Sequence, residues 1–157
     1  MARSGPSDDE LITWWGLVVE AFRKTSTAIA DDLAVHTTLP APWFEVLLRV
    51  QRSPDERLPM SQIAADVQFT SGGFTKLADR LVEAGLVERV PCPTDRRVTW
   101  MMLTPEGRKV IVTAKKAHAR FLRDQIAEIL GLDRFEELAG IMRTLRDGIS
   151  DADGSDD

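Results

Sequence analysis

A chain of 157 residues has room for one domain of ordinary size. Its 43% hydrophobic and 29% charged residues, with 10 Gly and 8 Pro, exclude collagen-like, low-complexity and wholly disordered chains. The formal charge of −5 is uneven: Asp151–Asp157 holds four Asp and no cation, so the remainder is near −1, and net charge neither demands nor excludes a nucleic-acid partner.

No apolar run approaches the roughly 18 residues of a membrane span, and the N-terminus lacks a signal-peptide core, so no membrane partner and a cytoplasmic location are expected. The single Cys92 excludes an internal disulfide. With His36 and His118 as the only histidines, no Cys/His zinc cage fits one subunit, and no metal or cofactor is expected. The two histidines, without acidic or thiol neighbours at ligand spacing, read as solvated or as part of a subunit contact. No Gly-rich phosphate loop, nucleophile elbow, HExxH or Ser/His/Asp set is present, so the chain does not read as an enzyme.

In chain order, Ser7-Asp8-Asp9 opens a helix whose Leu11, Trp15, Val18, Phe22, Ile29 and Leu33 share one side. Trp14, Leu17, Ala21 and Ala28 form a second apolar set, and a helix apolar on two sides must touch two things: its own domain and a partner subunit. Pro42 suits the first turn of a short helix with Trp43, Val46, Leu47 and Val50 inward, and Ser53-Pro54-Asp55-Glu56 is a turn.

A compact pair follows. Ser61 is expected to cap a helix over 62–67, Gln68-Phe69 turns, and Thr70 caps a helix running to about Ala84, stopped by Gly85. In that second helix Phe74, Leu77, Ala78 and Leu81 face inward while Ser71, Gly72, Thr75, Lys76, Asp79 and Arg80 face outward, the pattern of a helix-turn-helix. Residues 86–90 and 98–103 alternate as strands around Pro91-Cys92-Pro93-Thr94-Asp95-Arg96-Arg97, whose two prolines mark a hairpin tip. Thr104-Pro105-Glu106 starts a long helix to about Leu130, with the stripe Val110, Ala114, Ala117, Phe121, Ile126 and Ile129 and Gly131 as the stop. Asp133-Arg134-Phe135-Glu136 resembles a capping box opening a last helix through Leu138, Ile141, Met142, Leu145 and Ile149; the residues 151–157 read as a disordered acidic tail.

The fold class is therefore mainly α with a small β-hairpin, a winged helix-turn-helix over 42–104 between an N-terminal helix, 8–38, and C-terminal helices, 105–150. From Met60 to Gly107 the chain resembles the MarR family of bacterial transcription regulators. The resemblance is carried by residues 66–71, by Thr75-Lys76-Leu77-Ala78-Asp79-Arg80-Leu81, by Gly85-Leu86-Val87-Glu88-Arg89, and above all by Asp95-Arg96-Arg97 followed by Leu103-Thr104-Pro105-Glu106-Gly107. It implies a homodimer joined through the N- and C-terminal helices, binding a near-palindromic operator in double-stranded DNA, with a small-molecule effector as a further partner. Gly72-Gly73 departs from the family's pattern, which more often has polar residues with side chains in this first turn, and each glycine disfavours a helix by about 1 kcal/mol relative to Ala; close backbone approach to DNA and a frayed helix start are both open readings.

Bases are read by side chains of the groove-facing helix, whereas cations on phosphates supply affinity. Ser71, Gly72, Thr75, Lys76 and Arg80 on the helix and Asp95, Arg96 and Arg97 on the wing are thus the candidate DNA-binding residues, with Asp95 expected to orient Arg97 or accept wing amides. Arg80 is equally readable as an ion-pair partner of Asp79 or Glu83. Trp14, Trp15, Trp43, Phe44, Glu45 and Arg89 are candidates for an aromatic effector, against the plainer reading as core. Two alternatives remain at this stage: a winged helix used only for protein docking, and a thiol-responsive regulator through Cys92, whose thiolate nearby arginines would favour.

Overall fold

The computed structural model describes residues 5–37, 39–67 and 71–153, with side chains of Ser71 and of 150–153 left aside. The chain forms two compact units, divided between His118 and Ala119. In the first, helix α1 (Asp8–Thr37) is opened by a reciprocal capping box: the Ser7 backbone N–H and hydroxyl donate to the Glu10 carboxylate at 2.8 and 2.9 Å, and Ser7 Oγ accepts the Glu10 N–H at 3.3 Å. Helix α2 (Ala41–Arg52) starts with Pro42 in its first turn, as the sequence predicts. The Ser53–Glu56 turn follows, with Asp55 and Glu56 at φ 56° and 49°.

Strand β1 (Arg57–Pro59), helices α3 (Met60–Asp66) and α4 (Ser71–Glu83), and strands β2 (Val87–Pro91) and β3 (Thr99–Leu103) complete the winged module. The sheet is antiparallel in the order β1-β3-β2, with Leu58 opposite Met101 and Arg89 opposite Met101 from the other side. Three residues ending in proline carry no periodic signal in the sequence, and β1 forms because β3 recruits it. Helix α3 begins at Met60 after Pro59, which places Ser61 inside the first turn and removes it as the cap. Pro91 belongs to β2, opposite Thr99, and only Cys92–Val98 forms the tip; β2 is an edge strand, where a missing N–H is tolerated. The expected turn at Gln68-Phe69 and the Thr70 cap lie outside the described residues.

The core gathers Leu33 from α1, Phe44, Val46, Leu47 and Val50 from α2, Ile63 from α3, Phe74, Ala78 and Leu81 from α4, and Leu86, Val87, Met101 and Leu103 from the wing. Phe44 takes the inward position expected of Trp43, which is only half-buried. Along α1 burial stops at Leu33 and Ile29: Leu11, Trp15 and Phe22 are 49, 55 and 73% exposed, and Trp14 and Leu17 of the second apolar set are equally open. Among the described residues no charged or polar residue is buried, and no helix is long and apolar enough to cross a membrane.

Helix α5 (Pro105–Phe121) enters this core through Gly107, Ile111 and Ala114, spaced by four and three, so its inward register differs from the expected stripe by the inclusion of Ile111. Its start is bracketed to the root of the wing. The Thr104 hydroxyl accepts the Gly107 N–H at 2.9 Å and donates to the Gly85 carbonyl at 2.6 Å, while the Thr104 N–H donates to the Leu86 carbonyl at 3.1 Å. This is the cap that the sequence predicts, with a tertiary partner added. Gly85, at φ +68°, ends α4 where an L side chain would be strained.

In the second unit, a π-helical turn (Leu122–Ala127) continues into the short α6 (Glu128–Leu130), and Gly131 at φ +80° ends the run. The wider turn shifts the phase of the residues up to Gly131, and Ile129, expected on the stripe, is 77% exposed. Helix α7 (Leu132–Asp153) starts one residue before Asp133, so that aspartate sits in the first turn, favoured by the helix dipole, rather than at the cap. Of the acidic tail expected over 151–157, the first three residues close α7 and residues 154–157 lie outside the described residues.

A Cβ at residue 107 would lie 1.9 Å from the Leu86 carbonyl oxygen, and that oxygen is backbone. Gly107→Ala is therefore expected to cost about 2 kcal/mol or more, read as a lower urea midpoint at unchanged m-value.

Candidate nucleic-acid interface

Burial of Phe74, Ala78 and Leu81 fixes the rotation of α4 and leaves Gly72, Thr75, Lys76 and Arg80 exposed. Lys76 and Arg80, four residues apart, stand one above the other, and among the described residues neither forms an ion pair. Of the partners expected for Arg80, Asp79 is held instead by Arg89, Oδ1 to Nη2 at 2.7 Å, and Glu83 forms no ion pair among the described residues. Ser71 begins the helix. A Cβ on Gly72 would meet nothing within 4 Å, so no internal packing requires glycine there.

The wing tip is closed by the Cys92 N–H to the Val98 carbonyl at 2.9 Å and the Val98 N–H to the Asp95 carbonyl at 3.0 Å. Asp95 Oδ1 accepts both the Arg97 backbone N–H, at 3.0 Å, and its Nε, at 3.3 Å. One carboxylate thus fixes the turn and the root of the arginine fork, while the Arg97 side chain remains 92% exposed. Arg96 is exposed beside it. Helix and wing present Lys76, Arg80, Arg96 and Arg97 to solvent, with Asp79 and Asp95 each neutralised by an arginine. Such a surface draws a polyanion to its four cations, while Glu83 on α4 and Glu88 on β2 stay exposed without an ion-pair partner among the described residues.

The pKa of the Cys92 thiol is lowered to about 7, first by the Thr94 hydroxyl 3.3 Å from its sulfur, with the backbone amides of Thr94 and Asp95 acting in the same direction. Hydrogen bonding, rather than the arginines invoked from sequence, favours its thiolate.

The residues expected to receive an aromatic effector are scattered in their commitments. Trp14 and Trp15 are more than half-exposed on α1. Phe44 is 6% exposed, with its ring 5.1 Å from that of His118, and is a core residue. Glu45 pairs with Arg49 at 3.0 Å, and Arg89 is taken by Asp79. His36 does have an acidic neighbour, Asp32, one helical turn back at 3.0 Å. Burial holds the His118 imidazole below its usual value, so neither histidine is simply solvated. Sequence reasoning missed the Asp79–Arg89 pair; the separation of opposite charges across a helix and a strand has no fixed spacing by which to find it.

Residues 37–98 match the model of the MarR family. The HTH-type transcriptional regulator MhqR of Bacillus subtilis (strain 168) is 30% identical over 116 residues, 74% of this chain and 77% of that one. The chain belongs to the MarR family. The family's members among these relatives are transcriptional regulators, in keeping with the absence of an enzyme motif from the sequence. Two uncharacterized regulators of the same bacterium, YdgJ and YhbI, are 27 and 28% identical, and the chain spans 57 and 64% of their lengths. A MarR family regulator from Streptomyces coelicolor, solved in complex with DNA, superposes with a TM-score of 0.78 at 24% identity, covering 94% of this chain and 92% of that one. The transcriptional repressor CouR, bound to a 23-mer DNA duplex, gives 0.71 at 27% identity, with 91 and 99% covered. The winged helix-turn-helix of the MarR family is thus the fold of this chain.

Alkylation of Cys92 by iodoacetamide is expected to rise through a midpoint near pH 7, the neutral thiol below it being unreactive. Thr94→Val removes the largest cause and moves the midpoint upward, as a rate–pH profile would show.

Proposed function

We propose that this MarR-family chain is a homodimeric, sequence-specific regulator of transcription that binds double-stranded DNA, placing α4 in the major groove and the wing tip in the adjacent minor groove. The observation that carries the reading is the set of exposed cations, Lys76 and Arg80 on α4 and Arg96 and Arg97 on the wing, on the two elements that a winged helix turns towards a duplex. Ser71, Gly72, Thr75 and Lys76 read or approach bases; Arg80 contacts phosphate; Arg96 and Arg97 enter the minor groove, where negative potential favours arginine, with Asp95 orienting Arg97.

Dimerisation is supported by apolar surface that the single chain leaves open: Trp14, Trp15, Leu17 and Phe22 on α1 and, in the second unit, Ile141, Leu145 and Ile149 on α7. A second copy covering these faces sets two recognition helices about one helical turn apart on a pseudo-palindrome. Repression follows by blocking polymerase. Release by a small aromatic effector belongs to the same proposal, with the open indoles of Trp14 and Trp15 as its stacking surface; Trp43 stands half-buried on α2, and Phe44, Glu45 and Arg89 are committed to internal contacts.

The lowered Cys92 pKa at the wing favours a second reading, a regulator whose DNA affinity responds to thiol chemistry. Alkylated protein that binds its duplex as tightly as untreated protein removes it.

Selection of duplexes from a random library by the purified protein is expected to return a two-fold-symmetric site. Arg96→Ala with Arg97→Ala should weaken binding to every duplex and reduce the salt slope by about one to two. Folded protein that recovers no duplex above background would leave the protein-docking reading in its place. Sedimentation equilibrium should give twice the chain mass, and Trp15→Glu with Phe22→Glu should shift it towards the monomer; a monomeric wild type at micromolar concentration would exclude the dimer.

A further inference from the structure

Two elements must meet a duplex together, and the angle between them is set where the chain passes from α4 into β2. One attachment lies at the corner itself. The Leu86 N–H donates to the Leu81 carbonyl at 3.0 Å, the Gly85 N–H to the Val82 carbonyl at 2.9 Å, and the Thr104 hydroxyl to the Gly85 carbonyl at 2.6 Å. The root of the hairpin is held further by Val87, Met101 and Leu103 in the core and by β1 along one side of β3, whereas β2 is an edge strand whose residues 88–91 stay exposed or half-buried. A contact from α4 to that edge restrains it directly. Asp79 lies one helical turn before the end of α4, Arg89 is the third residue of β2, and their 2.7 Å contact spans the angle as a brace spans a bracket.

We propose that Asp79 and Arg89 are positioning residues for DNA recognition: their ion pair braces the wing against the recognition helix, so that both reach one half-site at the same time. The inference rests on the DNA-binding reading above and goes beyond it, because it assigns these residues a role without contact to DNA. Their side chains are 48 and 34% exposed, a setting in which an ion pair adds little to global stability. What the pair supplies is geometry. It also removes Arg89 from the cations available to phosphate and neutralises one of the two carboxylates of α4, Glu83 being the other.

The charges of the two residues give a sharp test. If each acted on DNA through its own charge, Asp79→Asn would strengthen binding, by removing a repulsive carboxylate, and Arg89→Gln would weaken it. A brace makes both changes act in one direction. Affinity for the duplex recovered by library selection, measured by fluorescence anisotropy, is expected to fall about threefold to tenfold in either variant. The double variant should be no worse than the weaker single, the signature of one shared interaction. Arg89→Lys, which keeps the cation, should recover most of the loss, and the salt slope should stay at the wild-type value because no phosphate contact is lost.

Amide exchange over the hairpin 87–103 in the free protein, followed by mass spectrometry, provides a readout that needs no DNA: it should quicken in both single variants while the thermal midpoint barely moves. Opposite effects of the two variants on affinity, a flatter salt slope in Arg89→Gln, or unchanged affinity would each overturn the brace. Unchanged exchange would overturn it whether or not the protein binds DNA. A wild type that selects no duplex would count against the DNA-binding reading alone, with hairpin exchange still deciding the brace.

Discussion

The contact between Gly107 and the Leu86 carbonyl sets the rest of the first unit. Backbone meets backbone there with no space for a methyl group, and the Thr104 hydroxyl ties the start of α5 to Gly85 in the same place. Three elements converge on it: the end of α4, the root of the wing and the first turn of α5. Because the approach is between main chains, it fixes positions more tightly than side-chain packing, which can repack when one residue changes. Ile111 and Ala114 then enter the core in the only register that Gly107 leaves open to them, and Leu86, Val87 and Leu103 close over the same centre.

The electrostatics of the surface follow from this frame. With α4 rotated by Phe74, Ala78 and Leu81, the cations Lys76 and Arg80 face outward, and the acidic residue between them is drawn sideways to Arg89. At the wing tip Asp95 plays a matching part for Arg97. A chain with a net charge of −5 thereby keeps Lys76, Arg80, Arg96 and Arg97 exposed on helix and wing, with two of the nearby acids, Asp79 and Asp95, held in internal pairs. Net charge describes how a protein meets solvent; the arrangement of pairs describes how it meets a polyanion.

The apolar surface is divided in a comparable way. The C-terminal half of α1 serves the core through Leu33 and Ile29, and the other half exposes two indoles and a phenyl ring to solvent. In the second unit Gly131 ends one helical run, and α7 beyond it leaves Ile141, Leu145 and Ile149 exposed.

Much of this was legible in the chain itself. The inward face of α4, the stops at Gly85 and Gly131, the Thr104 cap and the basic hairpin tip depend on local spacing and on backbone chemistry that acts within a few residues, so the sequence alone determined them. The tertiary structure decided what depends on a distant partner. It recruited β1 to β3, although three residues have no period to read. It chose Phe44 over Trp43 for the core, placed His118 on that ring, and turned Arg89 from a candidate ligand contact into the partner of Asp79. In each case the competing assignments were equal in local propensity, and only the burial and charge supplied by another element broke the tie.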